Sequence, residues 1–227
     1  MHKHLLLSFT ALWFSVGNAS AATITIDNLN AAGNGAFGLA DNAGTLLTAA
    51  TGQVVIGRMS MSDASITNNF NLGNIAAIWA AFQPFDTAFN PDSLAPGAFQ
   101  FDLMADTRAS QNALGGTDIY VWAWNDANAT PVSSSQSLIA HLMDIFPTDP
   151  ELPGSPLTAV AHLRPSAAAL VVGFSGPQTN DYGLGSGELN VYRLDIMPAP
   201  EPSRAILTLM GLSLVFLNRR RKQVRAA

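Results

Sequence analysis

Short runs of alternating apolar and polar residues recur through residues 22–197, broken about every ten residues by Gly, Asn, Asp, Ser and Pro. Alternation with period two puts one face of each run on a core. Many such runs at this spacing predict an all-β fold, a jelly-roll-like β-sandwich. Residues 23–27 read as the first strand. Residues 28–42, rich in Gly and Asn, read as a loop or irregular strand. Residues 45–50 and 53–60 flank Thr51-Gly52 and predict a hairpin. In residues 98–105, Phe99, Phe101 and Leu103 share one face, with Gln100 and Asp102 on the other. Gly115-Gly116 leads into an aromatic strand at 118–124. Residues 157–163, 168–174 and 188–197 complete the set.

One segment departs from the strand period. Asn74 can cap a helix in which Ile75, Ile78, Trp79 and Phe82 share a face, ended by Gln83-Pro84. A second, weaker helix is expected over 137–146. Residues 148–156 carry three prolines and read as an exposed loop. There is no repeat of fixed period.

The two ends carry different patterns. Lys3 precedes an apolar stretch at 5–16, and Ala19-Ser20-Ala21 gives small residues at alternate positions before Ala22. This predicts a signal peptide, residues 1–21, cleaved after Ala21. Toward the other end, Pro198, Pro200 and Pro202 fix φ and keep residues 197–202 extended. Ser203 suits a helix cap. The uncharged run AILTLMGLSLVFL follows, thirteen residues from Ala205 to Leu217. As a helix it spans roughly 20 Å, against a ~30 Å hydrocarbon core, and makes a marginal transmembrane segment. Arg219, Arg220, Arg221 and Lys222 then form a basic stop expected on the cytoplasmic side, which leaves the body outside the inner membrane.

The order of Pro200-Glu201-Pro202-Ser203, an uncharged helix and an arginine-rich end resembles the PEP-CTERM sorting signal of Gram-negative bacteria. About 28 of the 227 residues carry the resemblance. It implies recognition by exosortase, a membrane-embedded cysteine protease-like enzyme thought to cleave near the motif. On that reading Pro200, Glu201, Pro202 and Ser203 are the recognition element. The chain then divides into a signal peptide at 1–21, a β domain at 22–197 and a sorting signal at 198–227. A plain tail anchor is the alternative. Residues 50–57 and 116–125 are also reminiscent of small β domains in exported proteins of this class, which bears on fold alone.

Charge sharpens the division. Residues 22–203 hold all sixteen acids and four bases, Arg58, Arg108, Arg164 and Arg193, a net of −12 with no lysine. Residues 204–227 hold six bases and no acid. A body so poor in cations has no electrostatic footprint for nucleic acid or anionic lipid. It suits bridging by divalent cations. With no cysteine, thiolate-bound zinc and iron–sulfur sites are excluded, and the core has no disulfide to support it.

Candidate chemistry in the body is sparse. His141 and His162 lie twenty-one residues apart, without the spacing of a metal pair. No G-x-S-x-G places a serine nucleophile. Asp102 with Asp106, and Asp118 with Asp126, flank strand ends and could serve as paired carboxylates or cap turns. The oxygens of Asn125-Asp126-Ala127-Asn128 are hard ligands of the kind calcium takes. Asn128-Ala129-Thr130 matches a glycosylation sequon. Tyr120, Trp122 and Trp124 share one face of their strand: buried, they are core; exposed, they form a platform on which sugars stack. Phe37, Phe70, Phe85 and Phe89 read as core in the same way. The sequence therefore predicts a non-catalytic envelope or matrix protein, exported by the secretion machinery and processed by exosortase. An association with exopolysaccharide is implied by the resemblance. The alternatives are a carbohydrate-binding module built on the aromatic row and a secreted glycan hydrolase.

Overall fold

The computed structural model describes residues 22–29, 36–105, 114–132, 134–147, 158–177 and 190–198. In chain order the elements are β1 (Ala22–Asp27), β2 (Gly38–Ala40), β3 (Gln53–Met59), α1 (Asp63–Asn71), α2 (Ile75–Ala81), β4 (Phe82–Pro84) and β5 (Gln100–Ala105). They continue with β6 (Asp118–Trp124), β7 (Ser137–Ile145), β8 (Thr158–His162), β9 (Ala168–Val172), β10 (Phe174–Pro177) and β11 (Asn190–Arg193). The fold is mostly β with two short helices. The strands form a five-stranded sheet in the order β4-β3-β6-β7-β9 and two three-stranded sheets, β5-β1-β8 and β10-β11-β2. All pairs are antiparallel except β1 with β8 and β11 with β2.

β6 lies at the centre of the five-stranded sheet and is covered on both faces. Ile119, Val121 and Ala123 pack with Ile24, Ile26, Phe99 and Leu103 of β1 and the segment leading through β5, and with Leu138 and Ala140 of β7. Tyr120, Trp122 and Trp124 pack on the other face with Ile66 and Phe70 of α1, Ile75 and Ile78 of α2, and Phe82. Burial on both sides is why IYVWAW contains no charged residue: each face must be apolar or find a partner. Phe37, Phe70 and Phe85 are buried, and Phe89 packs half-buried against the first cluster.

Several expected elements hold close to their bounds. The strands at 23–27, 98–105, 118–124 and 157–163 form, and the helix capped near Asn74 runs from Ile75 to Ala81. Others differ. The helix expected over 137–146 does not form: Ser137–Ile145 is β7. Leu138, Ala140 and Leu142 face one cluster and Ile139 the other, so the strand lacks the polar alternation that would mark it. Pairing with β6 and β9 on both edges overrides helix propensity. The expected hairpin around Thr51-Gly52 does not form. Residues 45–50 contribute only a bridge from Leu46 to Ala40, and β3 pairs with β4 and β6 instead. The strand expected at 168–174 is split by Gly173, whose φ of +96° L residues rarely adopt. β9 on one side of it joins the five-stranded sheet, and β10 on the other joins β11. The last strand ends at Arg193, before the expected end at 197, and beyond it Asp195 bridges to Ser137.

α1 has no counterpart in the strand pattern. Ser62 caps it by accepting from the Ser65 amide. Its apolar anchors Ile66 and Phe70, four residues apart, are buried on the sheet. At the far end of the core, Asn28 is fully buried and satisfied. Its Nδ2 donates to the carbonyls of Phe37 and Gly97, and its Oδ1 accepts from the Phe99 amide.

Candidate functional site

The only cluster of ionisable side chains around a histidine that draws on three elements, among the described residues, lies where α1 meets the five-stranded sheet. The β6–β7 register sets Tyr120 directly opposite His141. Their rings stack with centroids 4.4 Å apart and 16° between planes. α1 begins beside them, so its first residue, Asp63, reaches both. The Tyr120 hydroxyl donates to Asp63 Oδ1 at 2.7 Å, and His141 Nδ1 lies 3.1 Å from Asp63 Oδ2. The other imidazole nitrogen, Nε2, lies 3.5 Å from Asp118 Oδ2 at the start of β6.

Burial, then the hydrogen bond to Asp63 and the charges of Asp63 and Asp118, push the Tyr120 hydroxyl well above the ordinary tyrosine range. Tyr120 therefore stays a neutral donor. His141 faces a carboxylate at each nitrogen, Asp63 at Nδ1 and Asp118 at Nε2. Beside Asp118, a groove of about 330 Å³ is lined by Arg58, Met59, Ser60, Gly116, Thr117 and Asp118. The Ser60 hydroxyl donates to the Ala81 carbonyl and is not aimed at the imidazole. The arrangement fastens the start of α1 to the sheet through Asp63, which both Tyr120 and His141 contact.

The sequence candidates fall as follows. Tyr120, Trp122 and Trp124 are 5 %, 0 % and 0 % exposed and are core beneath the helices. As placed, the row offers no face to a sugar. Trp122 Nε1 donates to Ser137 Oγ, and Trp124 Nε1 to the Asn128 carbonyl. Asp118 meets His141, whereas Asp126 sits beyond the opposite end of β6, so the two do not form a pair. Asp102 accepts from Thr25, and Asp106 lies outside the described residues. His162 is held by the buried Asp27, with Nδ1 2.9 Å from Oδ1.

Two of the side-chain oxygens of Asn125–Asn128 accept local backbone amides. Asn125 Oδ1 accepts from the Gln136 amide and Asp126 Oδ1 from the Asn128 amide. Asn125 and Asp126 border a groove of about 470 Å³ shared with Asp41, Thr45 and Thr51. Ala22 opens β1. Ala19 and Ala21, the motif Pro200, Glu201, Pro202 and Ser203, the run 205–217 and the stop Arg219, Arg220, Arg221 and Lys222 lie outside the described residues.

Sequence reasoning missed Asp63. The local signal was Ser62 as a cap, followed by Ile66 and Phe70 on one helical face. It also set Trp79 only among core residues, although Trp79 is half-buried and borders a third groove. No family model matches the chain, and no curated protein or solved structure matches it.

Proposed function

We propose that the chain is an exported, non-catalytic envelope or matrix protein, sorted and cut at a PEP-CTERM-type signal by exosortase. The observation that carries this reading is the fixed order of Pro200-Glu201-Pro202-Ser203, an uncharged thirteen-residue run and the Arg219–Lys222 block. The physical logic is a positive stop held on the cytoplasmic face, which places the proline-stiffened chain on the same outer side as the cutting enzyme.

The fold is compatible with processing at both ends. The described strand pairing runs from Ala22 to Arg193, with a last bridge at Asp195. Removing residues before Ala22 or beyond Pro198 breaks none of it. The body, read as a β-sandwich, is released with at least fifteen of the chain's sixteen acids and four of its eleven bases. That charge keeps it soluble and favours bridging through divalent cations to other polyanions, the exopolysaccharide setting that the resemblance implies. Burial of Tyr120, Trp122 and Trp124 takes away the surface on which a carbohydrate-binding reading rested.

Mass spectrometry of the surface-exposed protein tests the proposal. The expected C-terminus falls at or near residues 200–203, and Glu201→Ala or replacement of Arg219, Arg220 and Arg221 by alanine abolishes that cut. Surface protein ending at Ala227 overturns it.

A further inference from the structure

α2, of sequence IAAIWAA, has no polar side chain. Ile75 and Ile78 are buried on the sheet, while Ala76 and Ala80 face outward and Trp79 lies between. Residues Thr130, Pro131 and Val132 stand opposite. The groove between them has a volume of about 440 Å³ and no charged residue in its lining. Asn74 and Thr130 give it a polar rim, and Val132 is 39 % exposed. Trp79 is braced from behind: it stacks on Phe82 at 5.6 Å and meets Trp122 and Trp124 edgewise at 5.4 and 6.0 Å. An aromatic wall fixed in this way, next to apolar surface and a few side-chain donors, suits an uncharged occupant with apolar ridges and exposed carbonyls.

The chain itself heads for that groove. Asp195 and Ser137 exchange both backbone hydrogen bonds, at 2.8 and 2.9 Å, as an antiparallel pair. An antiparallel bridge sends the next residues, Ile196 and Met197, past the Gln136 side of Ser137, the side from which residues 130–132 approach. Met197 is buried in the same cluster as Trp122 and Trp124, against which Trp79 packs. Pro198 follows at once. From there Glu201 is three residues on, about 10 Å of extended chain.

We propose that the groove between α2 and Thr130–Val132 is the seat of this chain's own proline segment, residues 198–202. Proline fixes the polyproline conformation and lacks an amide, so the segment presents ring ridges and unpaired carbonyls. Trp79, Pro131 and Val132 receive the rings, and the Asn74 and Thr130 side chains serve the carbonyls, the mode by which aromatic grooves take proline-rich chain. Glu201 points to solvent, because the lining offers it no cation. The regulatory consequence rests on the sorting reading above: while seated, the motif is withheld from the cutting enzyme, and release from the groove precedes cleavage.

The chain has no cysteine, so paired substitutions report the contact directly. In the full-length protein in detergent micelles, Ala80→Cys with Ala199→Cys is expected to crosslink rapidly under mild oxidation. Gln100→Cys with Ala199→Cys, on the exposed face of β5 across the five-stranded sheet from α2, supplies the background rate. Adding Val132→Asp, or Ala76→Arg on the outward face of α2, places a charge in the uncharged contact. Either should lower the crosslinking rate at least about fivefold with the melting temperature unchanged. In cells the same two variants should speed C-terminal processing in pulse–chase. Crosslinking no faster than the Gln100 pair overturns the seat and leaves the groove to an external occupant such as a neutral sugar. A fast crosslink that Val132→Asp and Ala76→Arg leave untouched also overturns it. Specific crosslinking in a chain that is never processed upholds the seat and sinks the sorting reading alone.

Discussion

Trp122→Ala separates a core aromatic row from a surface platform. The indole is fully buried, with Trp79, Phe82 and Trp124 at ring-centroid distances of 5.4, 5.8 and 6.5 Å, and its Nε1 donates to Ser137 Oγ. Truncation loses the transfer energy of the ring and leaves a cavity under α2. Buried Trp→Ala changes cost about 3–5 kcal/mol. For a domain of this size, each kcal/mol lowers the melting temperature by about 2–4 °C, so the expected drop is roughly 6–20 °C. Ser137 is fully buried and loses its indole partner, which pushes the cost toward the upper part of that range. Trp122→Phe refills most of the cavity but still strands the Ser137 hydroxyl, and should recover over half of the loss. Thermal unfolding followed by near-UV circular dichroism measures both. A Trp122→Ala protein that melts within about 1 °C of the parent would refute the packing described for β6, since no buried indole of this kind is removed so cheaply.

Three further outcomes follow from single contacts. Asn28→Ala strips the Phe37 carbonyl and the Phe99 amide of their side-chain partner and leaves the Gly97 carbonyl with the Leu39 amide alone, and should destabilise the protein by about 2 kcal/mol or more in urea unfolding; a loss under about 1 kcal/mol would contradict that hydrogen-bond set. Gly173→Ala puts a Cβ 2.8 Å from the Arg193 carbonyl at a φ of +96°, and should cost about 1–3 kcal/mol and loosen the β9–β10 break; an unchanged melting temperature would show that this backbone conformation is not needed. Tyr120 and Tyr192 both have hydroxyls raised well above the ordinary value of 10.0, in each case chiefly by burial. The unfolded chain then releases its tyrosine protons first as pH rises, so the stability these groups contribute is full below pH 10 and falls above it, by up to roughly 1.4 kcal/mol per pH unit for each. Absorbance titration should show both phenols un-ionised until the fold is lost, and ordinary titration near pH 10 in the folded protein would contradict their burial.

The strands legible in the sequence are those with a clear boundary and one kind of face. Residues 118–124 are marked by Gly115-Gly116 ahead of them and by aromatic content, and residues 98–105 by true alternation of Phe99, Phe101 and Leu103 with polar neighbours. β7 is hidden because both of its faces are covered. With Leu138 and Ala140 on one side and Ile139 on the other, its apolar residues are consecutive, and a consecutive apolar run fits helix and strand equally well. α1 is hidden for the opposite reason. Its nine residues DASITNNFN have only Ile66 and Phe70 as buried anchors, too few to mark a helical face against so many turn-forming side chains.

The cluster around His141 shows how an error in one element hides a site. Asp63 and His141 are 78 positions apart, so no local spacing could join them. Their proximity depends on two facts of secondary structure: that α1 exists and begins at residue 63, and that residues 137–145 are a strand. Read as a helix, 137–146 gives His141 no defined partner. Read as β7 in register with β6, it must stand opposite Tyr120, because the pairing that joins Trp124 to Ser137 also joins Tyr120 to His141. Asp118, two residues before Tyr120, then falls on the same face at the strand's end, past the bulge at Asp118. The cluster is thus a consequence of sheet register rather than of any motif, and the same logic applies to Met197. Two residues past the antiparallel bridge of Asp195 to Ser137, at the other end of β7, it is buried in the cluster against which Trp79 packs.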